Sequence, residues 1–330
     1  MALQRILVTG ATGFLGSRLV ERLAENKELQ VTATGRTLKP HNRVEAPNVT
    51  YVLADLNKPS FVDELVQGQD AVVHAAALSS PWGSKKAFWE ANVHPTERLV
   101  QACEKHGVKR MVLISTPSMY FQMKPQWGIK EEHPLPTPIN QYAASKREAE
   151  RVVEASHIPH VILRPRALLG RGDTVILPRI IRAHQEGRLR QMGSGQNQVD
   201  MTPVSNVVDA ILLGLEAPEH ALNQTYNISN GSPIALWPFL NETLDKLDLT
   251  PISKSIPLPV VLLVARLMEW HARVIRPHRE PTLTVYGVGT LAMDFSMDIS
   301  KARQLLGYSP VQSVEEAMDE FVAWHKQQPQ

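Results

Sequence analysis

An α/β fold built on a doubly wound parallel sheet is the prediction for this chain, and three observations make it. Short apolar, β-branched runs alternate with helical patterns through the first half: Arg5 to Thr9, a helical Leu19 to Ala24, Val31 to Thr34, Tyr51 to Leu53, Ala71 to His74 and Met111 to Ser115. That rhythm is the signature of βαβ units. Val72-Val73 and Met111-Val112-Leu113-Ile114 are unbroken apolar runs, as strands covered on both faces require. A glycine-rich turn, Thr9-Gly10-Ala11-Thr12-Gly13-Phe14-Leu15-Gly16, lies between the first strand and the first helix.

Past Arg164-Pro165 the pattern becomes irregular, with turns such as Leu169-Gly170-Arg171-Gly172-Asp173 and Gly193-Ser194-Gly195. The division expected is a nucleotide-binding part over residues 1–168, rejoined by roughly 204–230, and a smaller, mostly C-terminal substrate-binding region over 169–330. The 330 residues suffice for both and for an ample core.

Composition narrows the function classes. Hydrophobic residues are 43% and charged residues 21% of the chain, an ordinary globular balance. The 35 Lys and Arg against 33 Asp and Glu leave a charge of +2, with no field to draw in nucleic acid. The single cysteine, Cys103, excludes an internal disulfide and suits a reducing compartment; a buried helical thiol is expected there. The apolar run after Met1 is too brief for a signal peptide, so the setting expected is cytoplasmic.

Residues 256–275 carry an apolar stretch broken by Arg266, Glu269 and Arg273, too short in its uncharged part to span a bilayer. A buried helix is the expected form. A lid over an apolar substrate and a membrane-surface helix, hence a peripheral membrane contact, are the alternatives.

The glycine-rich turn stands where a dinucleotide fingerprint must stand, after a strand and opening a helix. Gly10 permits a tight turn, Gly13 lets the backbone approach a pyrophosphate, and Gly16 lets helix and strand pack closely. Thr12, Phe14 and Leu15 complete the turn, whose free amides meet negative charge. At the end of the second strand, where a carboxylate would bond the adenosine ribose of NAD, the chain reads Thr34-Gly35-Arg36. An arginine there suits a 2′-phosphate, so NADP(H) is expected over NAD(H), with Arg36 as the contact and Lys39 as a helper; a solvated surface charge is the alternative for Arg36.

Tyr142-Ala143-Ala144-Ser145-Lys146 places a phenol and an ammonium one helical turn apart. The ammonium is expected to lower the phenol's pKa and let it exchange a proton with a substrate oxygen. His41, His74, His94, His106 and His133 lack the spacing of a zinc site, and Glu131-Glu132 is expected to be a solvated loop pair.

In this order the motifs resemble the extended short-chain dehydrogenase/reductase superfamily, the epimerase/dehydratase type with a Rossmann-type sheet, and the similarity runs almost from end to end. The resemblance adds Asp55 and Leu56 on the adenine side, Ala75, Ala76 and Ala77 at a strand end, and Asn92 in Ala91-Asn92-Val93. It brings Pro165 and Ala167 beside the nicotinamide through Arg164-Pro165-Arg166-Ala167-Leu168, with Pro203 to Ala210 as a later landmark. By this likeness Thr116, with Ser115 and Ser118 as rivals, would bond the reacting oxygen. Tyr142 would be the general acid/base, Lys146 would hold the nicotinamide ribose, and Asn92 would support the proton relay. Phe121 departs from a glycine frequent in the family.

Glu280 to Thr284, Phe295 to Ala302 and Leu306 to Pro310 make the chain similar to the 3β-hydroxysteroid dehydrogenase and 2-alkyl-3-oxoalkanoate reductase branch. That implies a small hydrophobic substrate, steroid-like or 3-oxoacyl-like, bearing a hydroxyl or ketone. The helices through Asn92 to Cys103 and through Tyr142 pair across a homodimer in relatives. A nucleotide-sugar epimerase or dehydratase that retains its cofactor, and a non-catalytic NADP(H)-sensing protein, are the other functions considered.

Overall fold

A computed structural model describes residues 3–39, 42–275 and 279–328. Seven parallel strands form the main sheet: β1 (Arg5–Thr9), β2 (Gln30–Gly35), β3 (Val49–Leu53), β4 (Ala71–His74), β5 (Arg110–Ile114), β6 (His160–Pro165) and β7 (Gln224–Ile228). Their spatial order is β7-β6-β5-β4-β1-β2-β3. The Rossmann-type reading therefore holds. The winding reverses between β1 and β4, and a crevice opens beyond the carboxyl ends of those two strands, where such sheets bind ligands.

The apolar runs behave as their covering demands. Leu7, Val8, Val72, Val73, Met111, Val112 and Leu113 are all inaccessible to solvent. One face packs on helices Phe14–Glu25 and Val204–Glu216, the other on Pro59–Val66, His94–His106 and Gln141–Glu154. The later chain re-enters the sheet through β7, which pairs in register with β6 from Gln224 opposite Val161 to Ile228 opposite Pro165. A separate core gathers Leu169, Trp237, Phe239, Leu240, Val288 and Phe321 around the remaining helices.

Helix Leu258–Ile275 corrects the expectation of a buried segment. Only Val261, Ala265 and Ala272 are buried, Leu258 and Leu262 are partly so, and seven larger apolar side chains are exposed. The segment's hydrophobicity is real, but only one side of the helix makes the core contact. Among the described residues no helix is long and apolar enough to cross a membrane.

The helix through Asn92 is also divided. A π-helical turn, Trp89–Val93, precedes the α-helix His94–His106. Pro95 has no N–H to continue the ladder at this point, and a wide turn takes up the register change.

Candidate functional site

At the crevice, Gly10 adopts φ 70°, and a Cβ there would lie 2.6 Å from the amide nitrogen of Ala76. A Cβ on Gly16 would collide with the Gly10 carbonyl. These two glycines hold the turn against β4 and against itself. Gly13 differs: a Cβ there would meet only the Gly10 oxygen, at 3.3 Å, so its outer side is open. It is also the N-cap of helix Phe14–Glu25, with no side-chain cap, so the first-turn amides of Phe14 and Leu15 have no intrahelical acceptor. An uncapped helix start with an open glycine fits a pyrophosphate.

The other predicted cofactor positions line the same edge. Thr12 packs on Gly35 at the end of β2, and its carbonyl accepts 2.9 Å from Asn42 Nδ2. Arg36 and Lys39 follow in the open, on the surface. Asp55 is exposed beyond β3, its carboxylate turned back on the Asn57 amide at 3.0 Å, while Leu56 is buried beneath it. Ala75 N donates to Thr9 O at 3.2 Å and Ala76 N to Thr9 Oγ1 at 3.3 Å, which places Ala75, Ala76 and Ala77 against the glycine turn. Pro165 closes β6, and Ala167 two residues on has φ 42°, a left-handed conformation uncommon outside glycine. The Ser115 hydroxyl at the end of β5 is buried with no partner among the described residues, a polar group that a ligand can satisfy.

The proton-transfer candidates converge nearby. Asn140 caps helix Gln141–Glu154 by accepting from Ala143 N at 2.8 Å, which sets Tyr142 in the first turn. The hydroxyls of Ser79 and Thr116 lie close enough to the Tyr142 phenol to pull its pKa down. Thr116 Oγ1 donates to Ser118 Oγ at 3.1 Å, and Ser118 lies near enough to the Tyr286 phenol to pull its pKa down. Of the three hydroxyls weighed at this strand end, Thr116 is therefore the one that reaches Tyr142.

Lys146 is buried one turn along, its Nζ 2.7 Å from the Ile114 carbonyl. Asn92 exchanges two bonds with Leu78, accepting from its amide at 2.7 Å and donating to its carbonyl at 3.2 Å, and donates to Ser145 Oγ at 2.9 Å. It thereby fixes the chain just before Ser79.

The electrostatics revise one expectation. Burial raises the Tyr142 pKa above the ordinary phenol value, outweighing the Ser79 and Thr116 bonds that pull it down. The ammonium does not lower it, because Lys146 turns toward Ile114. Burial brings Lys146 itself down to about 8, with Glu150 opposing from one turn further on. His74 is lowered to about 3 by burial, with Lys146 adding to the effect. Its Nδ1 lies 2.7 Å from Thr9 Oγ1 and its Nε2 3.0 Å from Thr96 Oγ1. Thr96 already donates to Asn92 O, so the bond from the ring must come from Nε2–H. A neutral imidazole thus ties β1, β4 and the Asn92 helix together.

Several side chains in the site escaped sequence reasoning. Ser79 comes from a loop and Tyr286 from the first turn of helix Val285–Ala292, and neither stands in a motif. Arg166 is buried over the Phe295 ring at 4.4 Å, and its charge pulls the Tyr286 phenol down against burial. Phe121 packs edge-on against Tyr286 at 5.1 Å, in space left by the missing side chain of Gly289. Glu131 is not a solvated loop residue: it accepts from the Asn227 amide at 2.7 Å, and burial raises its pKa. Cys103 is buried with its thiol pushed up to about 12, so it is inert. Among the described residues no cluster could hold a metal ion; His41 lies outside them.

Comparison with known proteins agrees with this architecture. Residues 6–229 match the NAD dependent epimerase/dehydratase family. A 2-alkyl-3-oxoalkanoate reductase of Stenotrophomonas maltophilia is 34% identical over 323 residues, covering 95% of this chain and 97% of that one. A 3beta-hydroxysteroid-dehydrogenase/decarboxylase of Arabidopsis thaliana is 31% identical, covering 94% and 77%. In fold the chain is similar to UDP-glucuronic acid 4-epimerase from Bacillus cereus in complex with NAD, with TM-score 0.78 and 23% identity over 98% and 99% of the two chains. The chain belongs to the NAD dependent epimerase/dehydratase family of extended short-chain dehydrogenases/reductases, and is an NAD(P)-dependent oxidoreductase acting on CH–OH groups.

Proposed function

We propose that the chain interconverts a ketone and a secondary alcohol on a hydrophobic substrate, 3-oxoacyl-like or steroid-like, with NADP(H) preferred over NAD(H). The observation that carries this reading is the meeting of Thr116 and Ser79 on the Tyr142 hydroxyl at the sheet edge beside the glycine turn. The relatives' names supply the substrate class: one acts on 2-alkyl-3-oxoalkanoates, another on 3β-hydroxysteroids.

Gly10, Thr12, Gly13, Phe14, Leu15 and Gly16 would hold the pyrophosphate. Arg36 would take the 2′-phosphate, Asp55 and Leu56 the adenine, and Ala75, Ala76, Ala77, Pro165 and Ala167 the remainder of the dinucleotide. Bound NADP(H) supplies or accepts the hydride. Tyr142, kept protonated by its raised pKa, donates from its hydroxyl to the substrate oxygen in the ketone-reducing direction. Ser79 then donates to the phenolate, and Thr116 does so once its hydroxyl turns from Ser118. Lys146 holds the ribose, and Asn92 positions Ser79 through Leu78, which is how it supports proton transfer.

In the same reading residues 1–168 with 204–230 form the cofactor part, and the rest of 169–330 the substrate part. The protein is a cytoplasmic homodimer paired through helices His94–His106 and Gln141–Glu154; a monomeric mass in solution contradicts that pairing. The function is tested by following NADPH absorbance with a panel of apolar ketones, steroids and 3-oxoacyl compounds. Oxidation of NADPH by a member of the panel supports the reductase. A cofactor that copurifies and is never released, with no ketone turnover, overturns it in favour of an epimerase.

A further inference from the structure

Seven of the eleven exposed large hydrophobic side chains among the described residues sit on one helix. Val260, Leu263, Val264, Leu267, Trp270, Val274 and Ile275 are between 38% and 65% exposed, all on Leu258–Ile275. At about 100° per residue they fall within an arc of about 140°. His271 is the single polar residue inside that arc. Scattered surface hydrophobics need no explanation, but a contiguous stripe marks an interaction site.

The exposed charges around the stripe are basic. Arg266 and Arg273 border its Trp270 edge, and exposed Lys254 and Arg279 lie beyond the two ends. The acids nearby are engaged: Glu269 holds Arg273 at 3.0 Å and accepts from Val285 N at 2.7 Å, and Glu280 pairs with Arg179. An outward apolar face with a tryptophan and an arginine edge is the pattern of a helix lying in a membrane interface, where cationic heads reach anionic lipid.

A second copy of the chain fits this face less well. A helix of this length is about 27 Å long, and a stripe about 10 Å wide offers roughly 300 Å², well under the about 800 Å² per partner of a stable interface. Insertion into lipid needs no such area.

The helix is also joined to both walls of the site. Arg273 lies over the Trp82 ring at 5.6 Å, in the loop that brings Ser79 to Tyr142. Glu269 caps the backbone immediately before Tyr286, whose hydroxyl meets Ser118 and Arg166. The apolar face therefore lies beside the mouth of the site, where a hydrophobic substrate would enter.

We propose that helix Leu258–Ile275 docks the protein on an anionic lipid bilayer through Leu263, Leu267, Trp270, Val274 and Ile275 with Arg266 and Arg273, so that an apolar substrate reaches the site from the lipid phase. The docking stands without the catalytic reading, whereas the delivery of an apolar substrate rests on it. The test sediments the full chain with vesicles of phosphatidylcholine alone and of phosphatidylcholine mixed with phosphatidylglycerol. The triple variant Leu263→Gln, Leu267→Gln, Val274→Gln is run alongside, with its melting temperature and NADPH affinity measured to verify the fold. The expected result is binding that favours the anionic vesicles, weakens with salt, blue-shifts Trp270 fluorescence against Trp270→Phe, and drops about tenfold or more in the triple variant. A wild type that binds neither vesicle, or a folded triple variant that binds as well, overturns the proposal. So does a dimer that the triple variant dissociates without any vesicle binding in the wild type, which would assign the face to a second copy.

Discussion

The ammonium of Lys146 donates a 2.7 Å hydrogen bond to the Ile114 carbonyl at the end of β5, although its sequence spacing places it one turn from Tyr142. With its ammonium turned to that carbonyl the lysine does not pull the buried phenol down, and burial, opposed by Glu150, brings its own pKa to about 8. It also gives the site a titration of its own.

As pH rises through about 8, Lys146 loses the charge that would hold the cofactor ribose. NADP(H) affinity is expected to fall by up to about tenfold between neutral pH and a pH well above that value. Calorimetric or fluorescence titration across the range checks it. The same fall in Lys146→Met would remove Lys146 as its cause.

His74 makes a second pH prediction, on stability. Its folded pKa, about 3, lies below the unfolded value near 6.5, so the unfolded chain binds the extra proton between them. The His74 contribution is whole above about pH 6.5 and is lost as pH falls toward 3, at about 1.4 kcal/mol per unit. Urea unfolding at stepped pH should show that slope. His74→Gln should flatten it; an unchanged slope would trace the acid sensitivity to other groups.

Arg36 stands exposed at the end of β2, with Lys39 beyond it. Arg36→Ala is expected to weaken NADPH binding by about 1.5–3 kcal/mol, the range for a hydrogen bond to a charged group, and to leave NADH within a few-fold. Paired titrations give the ratio. A ratio that does not move sinks the assignment of NADP preference to Arg36.

The sheet was legible because its strands announce themselves twice. Val72-Val73 and Met111 to Ile114 are apolar without interruption, and the glycine turn marks where the first strand ends. Helix Leu258–Ile275 was misread because hydrophobic content does not say which face packs: Val261, Ala265 and Ala272 are buried with Leu258 and Leu262 beside them, and seven other large apolar residues remain outside. The Tyr142 pKa went the other way because spacing shows proximity along a helix, whereas burial and the Ile114 carbonyl come from the tertiary fold. Ser79, Tyr286 and the Glu131 bond to Asn227 were invisible for the same reason, each joining segments far apart in the chain.

The central claim is that the Tyr142 hydroxyl moves the proton. Tyr142→Phe keeps the ring that faces Phe88 at 6.3 Å and deletes only the oxygen beside Thr116 and Ser79. The account predicts that this variant binds NADPH with wild-type affinity and turns over a ketone that the wild type reduces about 10²–10⁴-fold more slowly. A folded Tyr142→Phe with wild-type turnover would contradict it.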